Sequence, residues 1–393
     1  MPGRARQVEI DNGYHYCHGV TARVHASVAP TSSSPPDSSF SIRRRLVRRT
    51  AWSCVILALG IVVLVVVSGA VGSVEVTLAE AAQITAGHLV PGMPWMSDGT
   101  LTPLQDQAVW QFRLPRTLLA GLAGAGLALA GALIQVTVRN PLAEPYILGV
   151  SSGASVGAVL VIVFGTGVLG GLSLNVAAFV GALAACACVA ALARKDGELS
   201  PTRMILAGVA LGTLFSAVTS YLTISTDAQN VVSIMFFLLG SVSAATMSSL
   251  IGPAIALVVA CLVAAGTSRS LNALMTGDES ATALGVDATR LRGLLLVVAS
   301  LLTGTVVSVA GGIGFVGLVI PHVARIVVGA DHRRMLPVTV LAGALFLMIA
   351  DLLARTVATP TEIPLGILTA FVGAPFFLWL MRRGGADRAG FGR

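Results

Sequence analysis

Three arginines carry the most legible chemistry in this sequence. Arg113, Arg116 and Arg355 each stand beside a long apolar run rather than in charged surroundings. A guanidinium is planar, always charged and forked, so it grips a carboxylate through two parallel hydrogen bonds. Two readings stay open for them: interfacial anchors that snorkel out of an apolar layer, or contacts for an acidic partner. A second candidate is Gly277-Asp-Glu-Ser-Ala-Thr-Ala-Leu-Gly285. Its glycines bound a short helical stretch, and Asp278 and Glu279 suit the positive end of a helix dipole. The small side chains of Ala281 and Ala283, next to Leu284, would let such a helix seat in a partner's groove. A capped, solvated loop is the alternative.

Other chemistries find little to work with. A phosphate-binding Walker loop needs Gly-Lys-Ser/Thr, and the sole lysine, Lys195, lies between Arg194 and Asp196. Gly312-Ile-Gly314-Phe-Val-Gly317 matches a dinucleotide fingerprint, but that motif needs a strand before it and a soluble helix after. Here it joins two apolar runs and reads as a tight turn that glycine permits. Cys54, Cys186, Cys188 and Cys261 lie in apolar runs, and Cys17 lies in a polar tail beside His15 and His18. No pair has metal-site or disulfide spacing. No catalytic, cofactor or metal residue is expected in the chain, and nucleic acid is not an expected partner.

The elements that must position these residues are apolar runs of spanning length. The chain is 55% hydrophobic and 11% charged over 393 residues, where a soluble domain has about 25% charged. A spanning helix needs roughly 20 apolar residues. The runs are Trp52–Val71, Thr117–Val138, Tyr146–Phe164, Leu174–Ala193, Met204–Ile224, Ser249–Thr267, Gly293–Ala310, Ile313–Val328, Met335–Ala350 and Ile363–Met381. Val231–Gly240 is too short to span and reads as re-entrant or interfacial. The expected fold is therefore all-α, a polytopic membrane protein with ten transmembrane helices over residues 42–383. A disordered polar tail (1–41) precedes it and a cytoplasmic tail (384–393) follows. The first apolar run begins too late for a signal peptide.

Placing Arg43, Arg44, Arg45, Arg48 and Arg49 inside puts 18 basic residues on inner connections and tails and three on outer ones. Such an imbalance predicts both termini in the cytoplasm. The three outer residues are Arg113, Arg116 and Arg355. Gly149–Gly153, Gly153–Gly157 and Gly208–Gly212 have the spacing that lets membrane helices approach closely. Span centres hold almost no ionisable groups: Asp351 and Glu362 lie at outer ends, Glu144 lies in an inner turn, and His322 and Arg325 lie toward an inner end. A transporter driven by ions or protons keeps such groups in mid-membrane. An energised transporter of this kind would need a separate ATPase.

Three stretches together resemble one family. They are Arg113-Leu-Pro-Arg116 through Gln135 to Arg139-Asn-Pro-Leu-Ala-Glu-Pro145 and Leu148–Gly153, then Gly277–Gly285, then Ala310–His322 with Asp331–Arg333, Asp351 and Glu362–Gly366. Over residues 50–383 the chain is similar to the FecCD-type permeases of binding-protein-dependent ABC importers for iron-siderophores and cobalamin. The resemblance implies ten helices per subunit and a homo- or heterodimer with the path at its interface. It implies two ATPase subunits that bind ATP and Mg on the cytoplasmic side, and a substrate-binding protein outside. The setting would be a bacterial cytoplasmic membrane.

The same resemblance implies roles for residues. Gly277, Asp278, Glu279, Ala281, Ala283, Leu284 and Gly285 would form the helix that couples to the ATPase. Arg113, Arg116 and Arg355 would meet carboxylates of the binding protein. Gly208, Gly212, Thr213, Ser216, Thr219 and Ser220 would line the path with the short 231–240 helix. Taken singly, each hydroxyl is as well explained by a bond to its own helix carbonyl. An ion-coupled secondary transporter of a small organic solute and a channel-like structural component are the competing readings.

Overall fold

The structure is a computed structural model that describes residues 37–389 apart from Pro91, Leu169, Asp196 and Pro360. His15, Cys17 and His18 of the polar tail lie outside the described residues. Residues 1–43 and 44–393 form separate compact units, and only the helical start of α1 is described in the first. In chain order the elements are α1 (Asp37–Ala70), α2 (Leu78–Leu89), α3 (Pro103–Gln107), a π turn (Ala108–Arg113), α4 (Leu114–Thr137), α5 (Val150–Val168) and α6 (Leu174–Ala193). The two-residue strands β1 (Arg194–Lys195) and β2 (Glu198–Leu199) pair antiparallel. Then come α7 (Pro201–Ile224), α8 (Ala228–Leu239), α9 (Ile251–Met275), α10 (Asp278–Ala283), α11 (Ala288–Ala310), α12 (Val316–Val328), α13 (His332–Thr356) and α14 (Leu365–Ala389).

Among the described residues eight helices are long and apolar enough to cross a membrane, and α8, α12 and the apolar part of α14 are shorter. With α12 and α14 as spans and α8 as a partial one, the helices follow the ten apolar runs. Two boundaries differ from expectation. Residues 37–41, read as part of an irregular tail, already belong to α1. Residues 384–389, read as a tail, continue α14.

Side-chain oxygens start several of these helices. Thr77 and Glu80 form a capping box on α2, Asp287 accepts from the Arg290 amide to cap α11, and Asp331 accepts from the Arg333 amide to cap α13. These caps satisfy amides that the helix itself leaves free.

Helix α4 is the hub, with nearly all of its residues buried. Lipid offers no hydrophobic drive between helices, so close backbone approach must hold them together. Gly131 faces Gly317 of α12 so tightly that an added Cβ would lie 2.0 Å from the Gly317 carbonyl oxygen. Gly153 meets the Gly181 carbonyl of α6 in the same way and Gly157 meets that of Ala177, so this small-residue pair seats α5 on α6, while Gly149 faces Gly208 of α7. The obstacle at Gly131 is backbone, which has no rotamer to yield. Gly131→Val is therefore expected to cost at least the ~1–3 kcal/mol of an overpacked core. Gly252→Ala is expected to be neutral, since nothing lies within 4 Å of its added Cβ. Thermal melts of the two variants in detergent check this.

By contrast, only about a tenth of the apolar stretch of α1 and of α7 is buried. Those helices turn most of their surface away from the chain's own core.

Candidate functional site

At one end of the bundle the three expected arginines converge. Arg116 Nε donates to Asp351 Oδ1 at 2.8 Å, and its Nη1 donates to Glu362 Oε1 at 2.8 Å. Arg355 Nη2 approaches Asp351 Oδ2 at 3.4 Å and donates to the Ser68 hydroxyl, which pairs with Thr117. Arg113 donates to the carbonyls of Gly69 (2.7 Å), Ala70 (3.2 Å) and Val74 (2.5 Å). Those acceptors are the last carbonyls of α1 and the loop beyond, which lack partners within their own helix.

Arg113 and Arg116 are buried, Arg355 is partly buried with 9% of its side chain exposed, and Asp351 is 1% exposed. The structure thus gives Arg113, Arg116 and Arg355 inside partners instead of a free outer face. Two charges placed side by side without water need each other as counter-ions. Glu362, 44% exposed in its side chain, is the open edge of the cluster.

At the opposite ends of α4 and α11 lies α10. Gly277 (φ +116°) and Gly285 (φ +78°) bound it, in backbone conformations that glycine adopts without steric cost. Asp278 receives Arg292 Nη2 at 2.6 Å and Nη1 at 3.1 Å, and Arg139 Nη2 at 3.4 Å. Arg292 is buried and also donates to the Thr137 carbonyl at the end of α4. The hydrogen bonds from Arg292 hold the Asp278 carboxyl below the usual carboxylate range. Ala281 is fully buried, while Glu279, Ala283, Leu284 and Gly285 are exposed. The expected contact set therefore divides: Asp278 and Ala281 fasten the helix inward, and the other residues face out. Leu284, 70% exposed, is an apolar point on that outer face.

The expected path residues also divide by helix face. Gly208 is buried against the Ile147 carbonyl, Gly212 lies 3.8 Å from Ser152, both measured from an added Cβ, and Thr219 is buried. Gly208 and Gly212 thus face the start of α5 and the turn before it. Thr213, Ser216 and Ser220 are exposed on another face, at the three- and four-residue spacing that stacks side chains along a helix. Thr213 bonds its own helix at the Val209 carbonyl.

Next to α7, the end of α8 is sewn into the core. Gly312 N donates to the Phe237 carbonyl, Ser241 N to that of Ala310 and Leu365 N to that of Gly240. Gly311, Gly312 and Gly314 thus form the turn between α11 and α12, as the sequence suggested, while Gly317 belongs to α12.

Sequence reasoning left Glu144 in an inner turn and gave Tyr146 no role beyond starting a run. Glu144 accepts the Phe315 amide, and the Tyr146 hydroxyl accepts that of Ile313. Phe315 has positive φ and begins α12, so two side chains from the α4–α5 connection fix this turn. Tyr146, Ser151, Leu239, Phe315 and Phe371 border a cavity of 760 Å³ between α5, α8, α12 and α14. The polar Glu-Pro-Tyr interruption of an apolar stretch was the available signal, but its partners stand more than 160 residues away.

A model of the FecCD transport family matches residues 59–383. The cobalamin import system permease protein BtuC of Halobacterium salinarum is 40% identical over 87% of this chain and 98% of its own length. The hemin transport system permease protein HmuU of Yersinia pestis is 40% identical over 72% of this chain and 87% of its own. A solved metal-chelate type ABC transporter in an inward-facing conformation superposes with a TM-score of 0.72 at 34% identity, covering 84% of this chain and 98% of that one.

Proposed function

The chain belongs to the FecCD transport family as an ABC importer permease, and from that premise we propose that it carries an iron-siderophore chelate, or cobalamin or haem, across a bacterial cytoplasmic membrane. A separate ATPase that binds ATP and Mg would supply the energy, and a substrate-binding protein would deliver the cargo. Both termini would lie in the cytoplasm. A second permease subunit, identical or not, would complete the path.

The observation that carries this reading is the α7 face. Thr213, Ser216 and Ser220 lie exposed along one side of a helix that this chain barely buries. Small hydroxyl side chains can solvate a bulky polar chelate without gripping it. The binding protein would dock over the Arg116–Glu362 edge, where its carboxylate reaches Arg116 by replacing Glu362. Arg113 and Arg355 would hold that edge in place. Glu279, Ala283, Leu284 and Gly285 would meet the ATPase.

Proteoliposomes holding the permease, its ATPase and its binding protein test the whole reading. Uptake of labelled cobalamin, haem and ferric siderophores is measured with and without ATP. ATP-dependent uptake of one chelate is expected; uptake driven by a proton or sodium gradient without the ATPase would favour the secondary-transporter alternative. Ser216→Trp, which fills the α7 face, is expected to lower uptake at least about tenfold, the scale of an overpacked contact. The amount of ATPase that copurifies should not change.

A further inference from the structure

A basic groove lies between the first turns of α1 and the end of α12. It has a volume of 630 Å³ and is lined by Arg45, Arg48, Arg49, Trp52, Ile326 and Val327, among others. The transport reading uses none of these side chains. Arg45, Arg48 or Arg49, Trp52 and Ile56 recur at three- and four-residue intervals, so they form one stripe along α1. The stripe is basic at one end and apolar at the other. It spans 12 residues and 11 steps between them, or about 16 Å of helix at 1.5 Å per residue. Half of a bilayer's hydrocarbon layer is about 15 Å deep. The stripe therefore runs from headgroup level toward the bilayer middle, with Trp52 at the level where interfacial tryptophans collect.

Three further observations point to an occupant. Arg44, Arg45, Arg48 and Arg49 take part in none of the ion pairs among the described residues. The apolar wall is open: Trp52 is 58% exposed and Ile326 64%. Finally, the half of α1 beside the groove is only lightly held, through partly buried residues such as Cys54 and Leu57, while Arg113 and Arg355 hold its far end. A cluster of unpaired cations above an open apolar wall between two membrane helices complements a phosphodiester with acyl chains.

We propose that this groove binds an anionic phospholipid of the leaflet on the basic side of the protein. Its phosphate sits among Arg45, Arg48 and Arg49, and an acyl chain lies along Trp52, Ile56, Ile326 and Val327. The lipid fills the gap between α1 and α12 and fastens α1 to the bundle. Arginines that served only to orient the chain in the membrane would need no groove, and an anion site alone would need no apolar wall.

The full-length protein in detergent tests this, with brominated phosphatidylglycerol and brominated phosphatidylcholine as probes. Bromine quenches tryptophan at short range, and the Trp52 signal is the difference between wild type and Trp52→Phe. Brominated phosphatidylglycerol is expected to quench Trp52 at an about tenfold lower mole fraction than brominated phosphatidylcholine. The triple variant R45Q/R48Q/R49Q is expected to lose that preference. Because that variant also removes charges that orient the chain, Ile326→Phe is the second arm: it fills the groove, keeps every charge and is expected to weaken the quenching about tenfold. Equal quenching by both lipids, unchanged quenching in Ile326→Phe, or loss of the preference in excess inorganic phosphate would each overturn the proposal.

Discussion

Asp351→Ala is expected to lower the stability of the detergent-solubilised protein by about 3–5 kcal/mol, the cost of breaking a buried ion pair by removing one partner. Asp351 is 1% exposed and stands between Arg116 and Arg355. Removing it leaves two buried guanidiniums facing each other with no charge between them. At about 2 °C or less per kcal/mol for a chain of this size, the thermal midpoint should fall by roughly 5–10 °C. Glu362→Gln is the informative contrast. Glu362 bonds the same guanidinium at the same 2.8 Å but is 44% exposed, so water screens its loss and the expected cost is about 1 kcal/mol or less. If the two variants melted alike, the cluster would be a surface pair and not a buried one. The same pair of variants bears on docking. A binding-protein carboxylate that replaces Glu362 should bind Glu362→Gln at least as tightly as wild type, because its competitor has gone.

How far the sequence reaches is clearest at this cluster. Arg113 and Arg116 look like loop residues, because apolar pattern alone starts the span at Thr117. In the structure the helical path runs back without a break to Pro103. The Arg116 charge is neutralised by Asp351 and Glu362, which lie 235 and 246 residues away. Local periodicity carries no information about such a partner. The spans themselves were legible because lipid imposes a minimum apolar length and because Pro and Gly mark the breaks between them.

On α7 the six residues were legible as types but not as faces. The 3.6-residue period separates Gly208, Gly212 and Thr219 from Thr213, Ser216 and Ser220, yet only the packing of α5 shows which face is covered. The glycine turn at 311–315 was legible, while its clamps, Glu144 and Tyr146, were not. They act on a turn formed much later in the chain.

Arg292→Met is expected to uncouple the permease while leaving it folded in the membrane. In the wild type, α10 is joined to α4 and α11 through one buried side chain. Arg292 holds Asp278 with two hydrogen bonds and holds the Thr137 carbonyl with a third. On the proposed reading, a push delivered by an ATPase to the exposed Leu284 face would reach the spanning helices through this link, with the longer Arg139–Asp278 contact (3.4 Å) beside it. Methionine keeps much of the volume but makes no such bonds, so α10 can shift without carrying α4 with it.

Uptake should then fall about 5- to 150-fold, the range of a coupling term of ~1–3 kcal/mol. ATPase copurification and ATP turnover should persist. Arg292→Lys should recover only part of the loss, because a lysine reaches Asp278 as a point charge without the fork. Equal uptake by wild type and Arg292→Met would show that force passes elsewhere. The pH profile supplies an independent check. The folded Asp278 carboxyl lies below its ordinary 3.8, so its share of the link is complete above that value and is lost as pH falls through the lower folded one. The α10 contact should therefore stay unchanged from neutrality down to about pH 4. Loosening of α10 in hydrogen exchange at pH 6 would mean that another group, and not Asp278, carries the link.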